Sequence, residues 1–193
     1  GTTTVTGSGS HWNNSSDLSV GSSGTGTLNV KAGGVVSNTI GYIGKLSGST
    51  GTTTVTGSGS HWNNSSDLSV GSSGTGTLNV KAGGVVSNTD GYIGKGSGST
   101  GVATVNGNGS VWNNRESLYL GGQKDAAGGS GTISVLDNGT LSVMGNTVIW
   151  NDGTLKLGSG TFTSSDVVMK GGKIVTSTAE GENGFLFLDN VGE

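Results

Sequence analysis

The chain has 193 residues, with nine basic and twelve acidic side chains spread singly, and neither cysteine nor proline. It lacks the basic stripe that nucleic-acid binding needs, disulfides contribute nothing, and no apolar run is long enough to span a membrane as a helix. Forty-one glycines would suit a low-complexity chain, but Val, Leu and Ile return in register in every copy of a repeat, which supplies an interior to bury.

The repeat governs the reading. Residues 1–50 and 51–100 differ at only two positions, Ile40 against Asp90 and Leu46 against Gly96. A third copy starts at Gly101, drifts, and gains five residues where GGQKDAAG follows Leu120. Each copy divides again: Val5 matches Val30, Trp12 matches Val36, and Val20-Gly21 matches Ile43-Gly44. The spacing predicts turns of about 23–25 residues, the period of a solenoid that grows by stacking turns.

Within the first copy, residues 2–6 (TTTVT) alternate and are β-branched, which predicts a strand. A Gly-Ser turn follows, then the His11-Trp12-Asn13-Asn14 corner. Residues 17–21 (DLSVG) give a second strand, and residues 27–30 (TLNV) a third with Leu28 and Val30 inward. Residues 35–37 and 41–44 supply the rest of the second turn. Nothing has helical periodicity, and strands this short need stacked neighbours for their backbone groups. Residues 101–145 form a diverged repeat with an exposed loop at 121–128. In residues 146–193 the strands become irregular and their spacing tightens to roughly 14–20 residues, shorter than the solenoid period before them. The apolar FLFL run at 185–188 closes the stack. The whole chain, 1–193, reads as one all-β solenoid fragment.

The pattern L-x-V-G-x-x-G-x-G-T-L-x-V…G-G-x-V-S…I-G…S-x-G-x-x-x-V-x-G-x-G-S-x-W resembles the type V secretion/PEP-CTERM-associated repeat of bacterial autotransporter passenger domains. Leu18, Val20, Gly21, Gly26, Thr27, Leu28, Val30, Gly33, Gly34, Val36, Ser37, Ile43, Gly44, Ser47, Gly48, Val55, Gly57, Gly59, Ser60 and Trp62 carry it. The resemblance covers roughly residues 1–145. It implies a right-handed parallel β-helix on the surface of a Gram-negative cell or secreted from it. The chain would be tethered to an outer-membrane β-barrel outside this sequence, and would act in adhesion, aggregation or biofilm formation. Its partners would be a second copy, or a host surface protein or glycan. The family brings no catalytic motif and no cofactor. A carbohydrate-binding or carbohydrate-active β-helix and a passive spacer are the alternatives.

Candidate contact residues follow from the repeat. His11 and His61 occupy equivalent places about 10 Å apart, two turns along the stack. One zinc cannot bridge them, because its histidine nitrogens lie about 2 Å away. Trp12, Trp62 and Trp112 either present an aromatic ladder to a sugar or protein, or fill the interior with each indole N–H bonded to a turn carbonyl. Asn13-Asn14 and their copies are expected to cap turns through their side-chain amides. Ile40 and Leu46 are expected at the surface, extending an apolar patch that Asp90 interrupts. Asp17 and Asp67 give way to Ser117 in the third copy, poor behaviour for a general acid. No spacing brings Asp152, Asp166 and Asp189 together. The triple threonines at 2–4 and 52–54 faintly resemble an ice-binding ladder, but they return only in every other turn.

Overall fold

The computed structural model of the chain describes residues 1–176 and the backbone of residues 185–188. Three parallel sheets make a β-solenoid. Sheet A stacks Thr2–Thr6, Thr25–Lys31, Thr50–Thr56, Thr75–Lys81, Thr100–Asn106, Ser130–Leu136, Gly153–Leu157 and Lys173–Thr176. Sheet B stacks His11–Asn13, Val35–Asn38, His61–Asn64, Val85–Asn88, Val111–Asn114, Thr140–Val143, Thr161–Ser164 and Phe185–Leu188. Sheet C stacks Leu18–Val20, Gly41–Ile43, Leu68–Val70, Gly91–Ile93, Leu118–Leu120, Asn146–Trp150 and Asp166–Lys170. Each turn as far as Asp166–Lys170 contributes one strand to each sheet, and Lys173–Thr176 and Phe185–Leu188 add an eighth strand to sheets A and B among the described residues. The matches read from the sequence are the observed partners: Val5 pairs with Val30, Trp12 with Val36, and Val20 with Ile43.

Sheet A keeps a constant step from Thr25 to Thr50 to Thr75 to Thr100. The step lengthens at the insertion, where Thr100 pairs with Ser130, and shortens afterwards, where Thr132 pairs with Thr154 and Thr154 with Lys173. The C-terminal turns therefore shorten less than the sequence spacing suggests, because the lost residues come from corners while all three strands persist. The backbone of the FLFL run pairs with Thr161–Ser164; the part its side chains play lies outside the described residues.

The two-turn period has a packing cause. Inward positions of sheet A run Thr3, Leu28, Thr53, Leu78, Ala103, while those of sheet B run Trp12, Val36, Trp62, Val86, Trp112. A turn that carries Trp on sheet B carries a small residue on sheet A, and a turn with Val carries Leu. Volume per turn is thus held nearly constant, as a close-packed interior requires. Trp62, Trp112 and Leu78 are fully buried, each removing apolar surface worth about 2 kcal/mol or more from water. Glycine completes the arrangement at Gly41, where a Cβ would stand 2.9 Å from Trp62 Cζ2 and 2.4 Å from Asn64 Oδ1. Without that glycine the indole of the next turn has no room.

An asparagine ladder lines the B-to-C corner. Asn38 Nδ2 donates to Asn64 Oδ1 at 2.8 Å, and Asn88 Nδ2 to Asn114 Oδ1 at 2.7 Å, all four residues being buried. Asn64 Nδ2 continues to the Ser87 carbonyl. Asn114 faces Val143, and its Nδ2 finds no partner.

Candidate functional site

The candidate contact residues His11, Trp12, Ile40, Leu46, His61 and Trp62 are not gathered in one place. His11 is exposed and His61 half-buried, on sheet B with Val35 between them. Among the described residues no group of three or more His, Cys, Asp or Glu converges as a metal site would require. Trp62 is fully buried and cannot belong to a contact surface, while Trp12 is half-buried against the core. The indoles do fill the interior, but their N–H groups do not reach turn carbonyls. Trp62 Nε1 donates to Asn38 Oδ1 and Trp112 Nε1 to Asn88 Oδ1, both at 2.6 Å. The side-chain acceptor wins because sheet B already uses the strand carbonyls between turns.

Ile40 and Leu46 stand at opposite ends of the strand Gly41–Ile43, with Tyr42 and Lys45 between them. Leu46 is 50% exposed and Ile40 half-buried. Lys45 Nζ lies 4.4 Å from the centroid of the Tyr42 ring, a cation–π contact between two half-buried side chains. The second copy repeats it more tightly, Lys95 Nζ standing 4.0 Å from the Tyr92 centroid. The exchange at position 40 changes charge spacing: Ile40 separates Asp17 from Asp67 at the entrance to sheet C, whereas Asp90 follows Asp67 directly. Asp90 N–H donates weakly to Asp67 Oδ1 at 3.4 Å, and Asp90 Oδ1 accepts the Ser117 N–H at 2.8 Å. Burial, opposed by that Asp90 N–H bond, raises the Asp67 pKa, and the Asp90 carboxylate raises it further.

Sequence reasoning missed the outer face of sheet C. Tyr92 and Tyr119 stack with ring centroids 5.1 Å apart, and Val148 extends the row into a small second apolar cluster with Trp150 and Val168 at its edge. Burial and the Asp90 and Asp67 carboxylates push the Tyr92 hydroxyl well above the ordinary tyrosine range. Tyr42 is raised for similar reasons, burial first and Asp17 and Asp67 after it. The inserted loop is a two-stranded hairpin, Gly122–Gln123 against Ala126–Ala127. It is held to the face by Trp150 Nε1, which donates to the Gln123 carbonyl at 2.9 Å. Its tip, Lys124 and Asp125, is exposed. Between tip and tyrosine row lies a cleft of about 440 Å³ lined by Asp90, Glu116, Ser117, Tyr119, Asn146 and Val148. The signal for this site was the column Tyr42–Ser69–Tyr92–Tyr119, visible only once Gly91 is known to pair with Leu118.

Asp152 and Asp166 are both exposed, on different corners of the last described turns; Asp189 lies outside the described residues. Sheet A supplies the other broad surface. Thr25, Thr50, Thr75 and Thr100 form one outward column continued by Ser130. Thr2, Thr27, Thr52 and Thr77 form a second, which Val102 interrupts and Thr132 and Thr154 resume. The ladder is thus present in successive turns rather than in alternate ones. The shift arises because Thr27 and Thr77, inside the TLNV strands, hold the same place as Thr2 and Thr52.

No protein-family model matches the chain, and no curated protein does. Among solved structures, a crystal structure described as a TibC-catalyzed hyper-glycosylated TibA55-350 fragment is 17% identical, covers 92% of this chain and 92% of its own, and superposes with a TM-score of 0.21. So loose a likeness carries no argument about function. What the chain's own geometry defines is an all-β solenoid of parallel stacked turns.

Proposed function

We propose that the chain is part of a surface-displayed autotransporter passenger, a rigid β-solenoid stalk whose repeated outer faces mediate self-association or adhesion without catalysis. The observation that carries this reading is the in-register repetition of outward residues, with Tyr42-Lys45 recurring as Tyr92-Lys95 and the threonine columns of sheet A running turn after turn. Identical surfaces in series turn weak contacts into avidity, whereas an active site is needed once. The repeat pattern supports display through type V secretion, and a chain free of cysteine suits passage through an oxidising compartment. The partner is a second copy of the chain, or a protein or glycan on another surface.

Sedimentation of the chain across a wide concentration range tests this. Reversible association is expected, weakened when Ile40→Asp and Leu46→Gly give the first copy the residues of the second. A strict monomer throughout would remove self-association and leave the stalk as a spacer. The cleft beside Tyr119 favours one further reading, a sugar contact, since it pairs an aromatic row with the Asp90 and Glu116 carboxylates. A glycan screen without a bound sugar would sink it.

A further inference from the structure

Sheet A presents two adjacent outward columns of threonine on a face with no bend in its register. From Thr25 to Asn106 each strand pairs residue for residue with the next, without slip or bulge. The inward position between the two columns is glycine in successive turns, at Gly26, Gly51, Gly76 and Gly101. A Cβ at Gly51 would stand 2.1 Å from the Val20 carbonyl oxygen and 2.6 Å from Gly44 N. Close backbone contact therefore pins the strand directly behind the columns. The register of the face is thereby fixed turn after turn.

Its chemistry is uniform. Threonine is β-branched and stiff at χ1, so neighbouring turns repeat the same hydroxyl and methyl positions. Turns repeat about 4.8 Å apart along the axis and alternate residues about 6.7 Å apart across it. The result is a two-dimensional grid of paired methyl and hydroxyl groups. The column at Thr25, Thr50, Thr75 and Thr100 is exposed, and that at Thr27, Thr52 and Thr77 half-buried. None of these seven hydroxyls bonds to a protein group among the described residues. Lys31 and Lys81 lie at the margin of the face, outside the two columns.

We propose that this threonine grid binds ice. A periodic grid gains most from a ligand that is itself periodic in two dimensions, so that many weak contacts form at once. The grid carries no charge to recognise a mineral or phosphate, and no aromatic ring on which a sugar could stack. Its hydroxyls hold a first layer of water in fixed positions, and its methyl groups keep that layer from reorganising freely. A water layer spaced on this scale fits a growing ice surface. Val102 breaks only the hydroxyl half of the pattern, since its methyl groups keep the shape of threonine. Its readout, ice growth, is separate from the self-association tested at Ile40 and Leu46 beside sheet C.

The test is ice growth in dilute buffer, read as crystal shaping, thermal hysteresis and arrest of recrystallisation, with albumin as an inert control. The intact chain is expected to facet crystals and hold grain size at concentrations where albumin does neither. Thr52→Lys with Thr77→Lys should abolish the effect, while Asn113→Lys on the outer face of sheet B should leave it intact. Thr52→Ser with Thr77→Ser, which removes only methyl groups and is mild towards folding, should lose most of it. Circular dichroism establishes that each variant is folded. A wild-type chain indistinguishable from albumin would overturn the proposal, as would full activity in the folded serine variant.

Discussion

The indole N–H of Trp62 donates to the side-chain oxygen of Asn38, one turn earlier in the stack, at 2.6 Å and with both residues buried. The same Asn38 donates through its amide nitrogen to Asn64, the second residue after Trp62. The tryptophan is therefore fixed by its neighbouring turn as well as by its own. This bond ties the second turn of one repeat copy to the first turn of the next, as the bond from Trp112 to Asn88 does again.

Trp62→Phe keeps most of the ring and loses the donor, leaving Asn38 Oδ1 buried without its partner. The expected cost is about 1–3 kcal/mol, the penalty for an orphaned buried acceptor. A chemical denaturation midpoint unchanged from wild type would show that the bond adds nothing.

Thr53 is fully buried with no partner for its hydroxyl, and Ala103 takes its place in the third copy. Thr53→Val should stabilise by roughly 1 kcal/mol, because the desolvated hydroxyl is replaced by a methyl of like shape. The volume rule makes a sharper claim. Trp62→Val alone opens a cavity at a cost of about 3–5 kcal/mol, and Thr53→Leu alone overpacks. Combined, they recreate the Leu28–Val36 pairing of the preceding turn, and a favourable coupling of about 0.5–3 kcal/mol is expected. Additive effects in a double-mutant cycle would refute the compensation.

These contrasts show why the fold was legible and the surfaces less so. Register could be read because Val5, Val30 and Val55 recur with nothing inserted between turns, and inward β-branched residues mark the period. The asparagine acceptors could not, since an Asn beside a turn reads as a turn residue whether its amide faces solvent or an indole. The threonine ladder follows from the same offset that matches Val5 to Val30, which sets Thr27 on Thr2, but the unlike motifs TTTVT and TLNV that carry it do not look like one column. Tyr119 joins Tyr92 across a step that no identical copy displays. Whether Trp62 faces outward or fills the interior stayed open in the sequence, because period alone does not tell an inward aromatic from an outward one; the structure buries it.

Gly74 is packed against the turn before it: a Cβ there would stand 2.5 Å from the carbonyl oxygens of Leu46 and Ser49. Gly74→Ala should destabilise by about 1–3 kcal/mol. Thermal melts check this, and an unshifted midpoint would contradict the stacked contact.

Asp67 gives the chain a pH dependence with a defined sign. Burial raises its pKa, and the Asp90 carboxylate adds to the rise, while the Asp90 N–H bond and Lys95 oppose it. The folded chain therefore keeps this proton at pH values where the unfolded chain, with a carboxylate near its ordinary value of about 4, has lost it. Stability contributed by protonated Asp67 is full below the unfolded value, falls as pH rises through the window up to the folded value, and is level above it. Asp67→Asn should flatten that part of the profile and raise stability at neutral pH. Asp90→Asn retains an oxygen for the Ser117 N–H and removes the neighbouring charge, so the window should narrow from its upper end. Denaturation midpoints measured from pH 3 to 8 decide the matter: a wild-type profile that rises through this window where the Asp67→Asn profile is flat would reverse the sign of the effect.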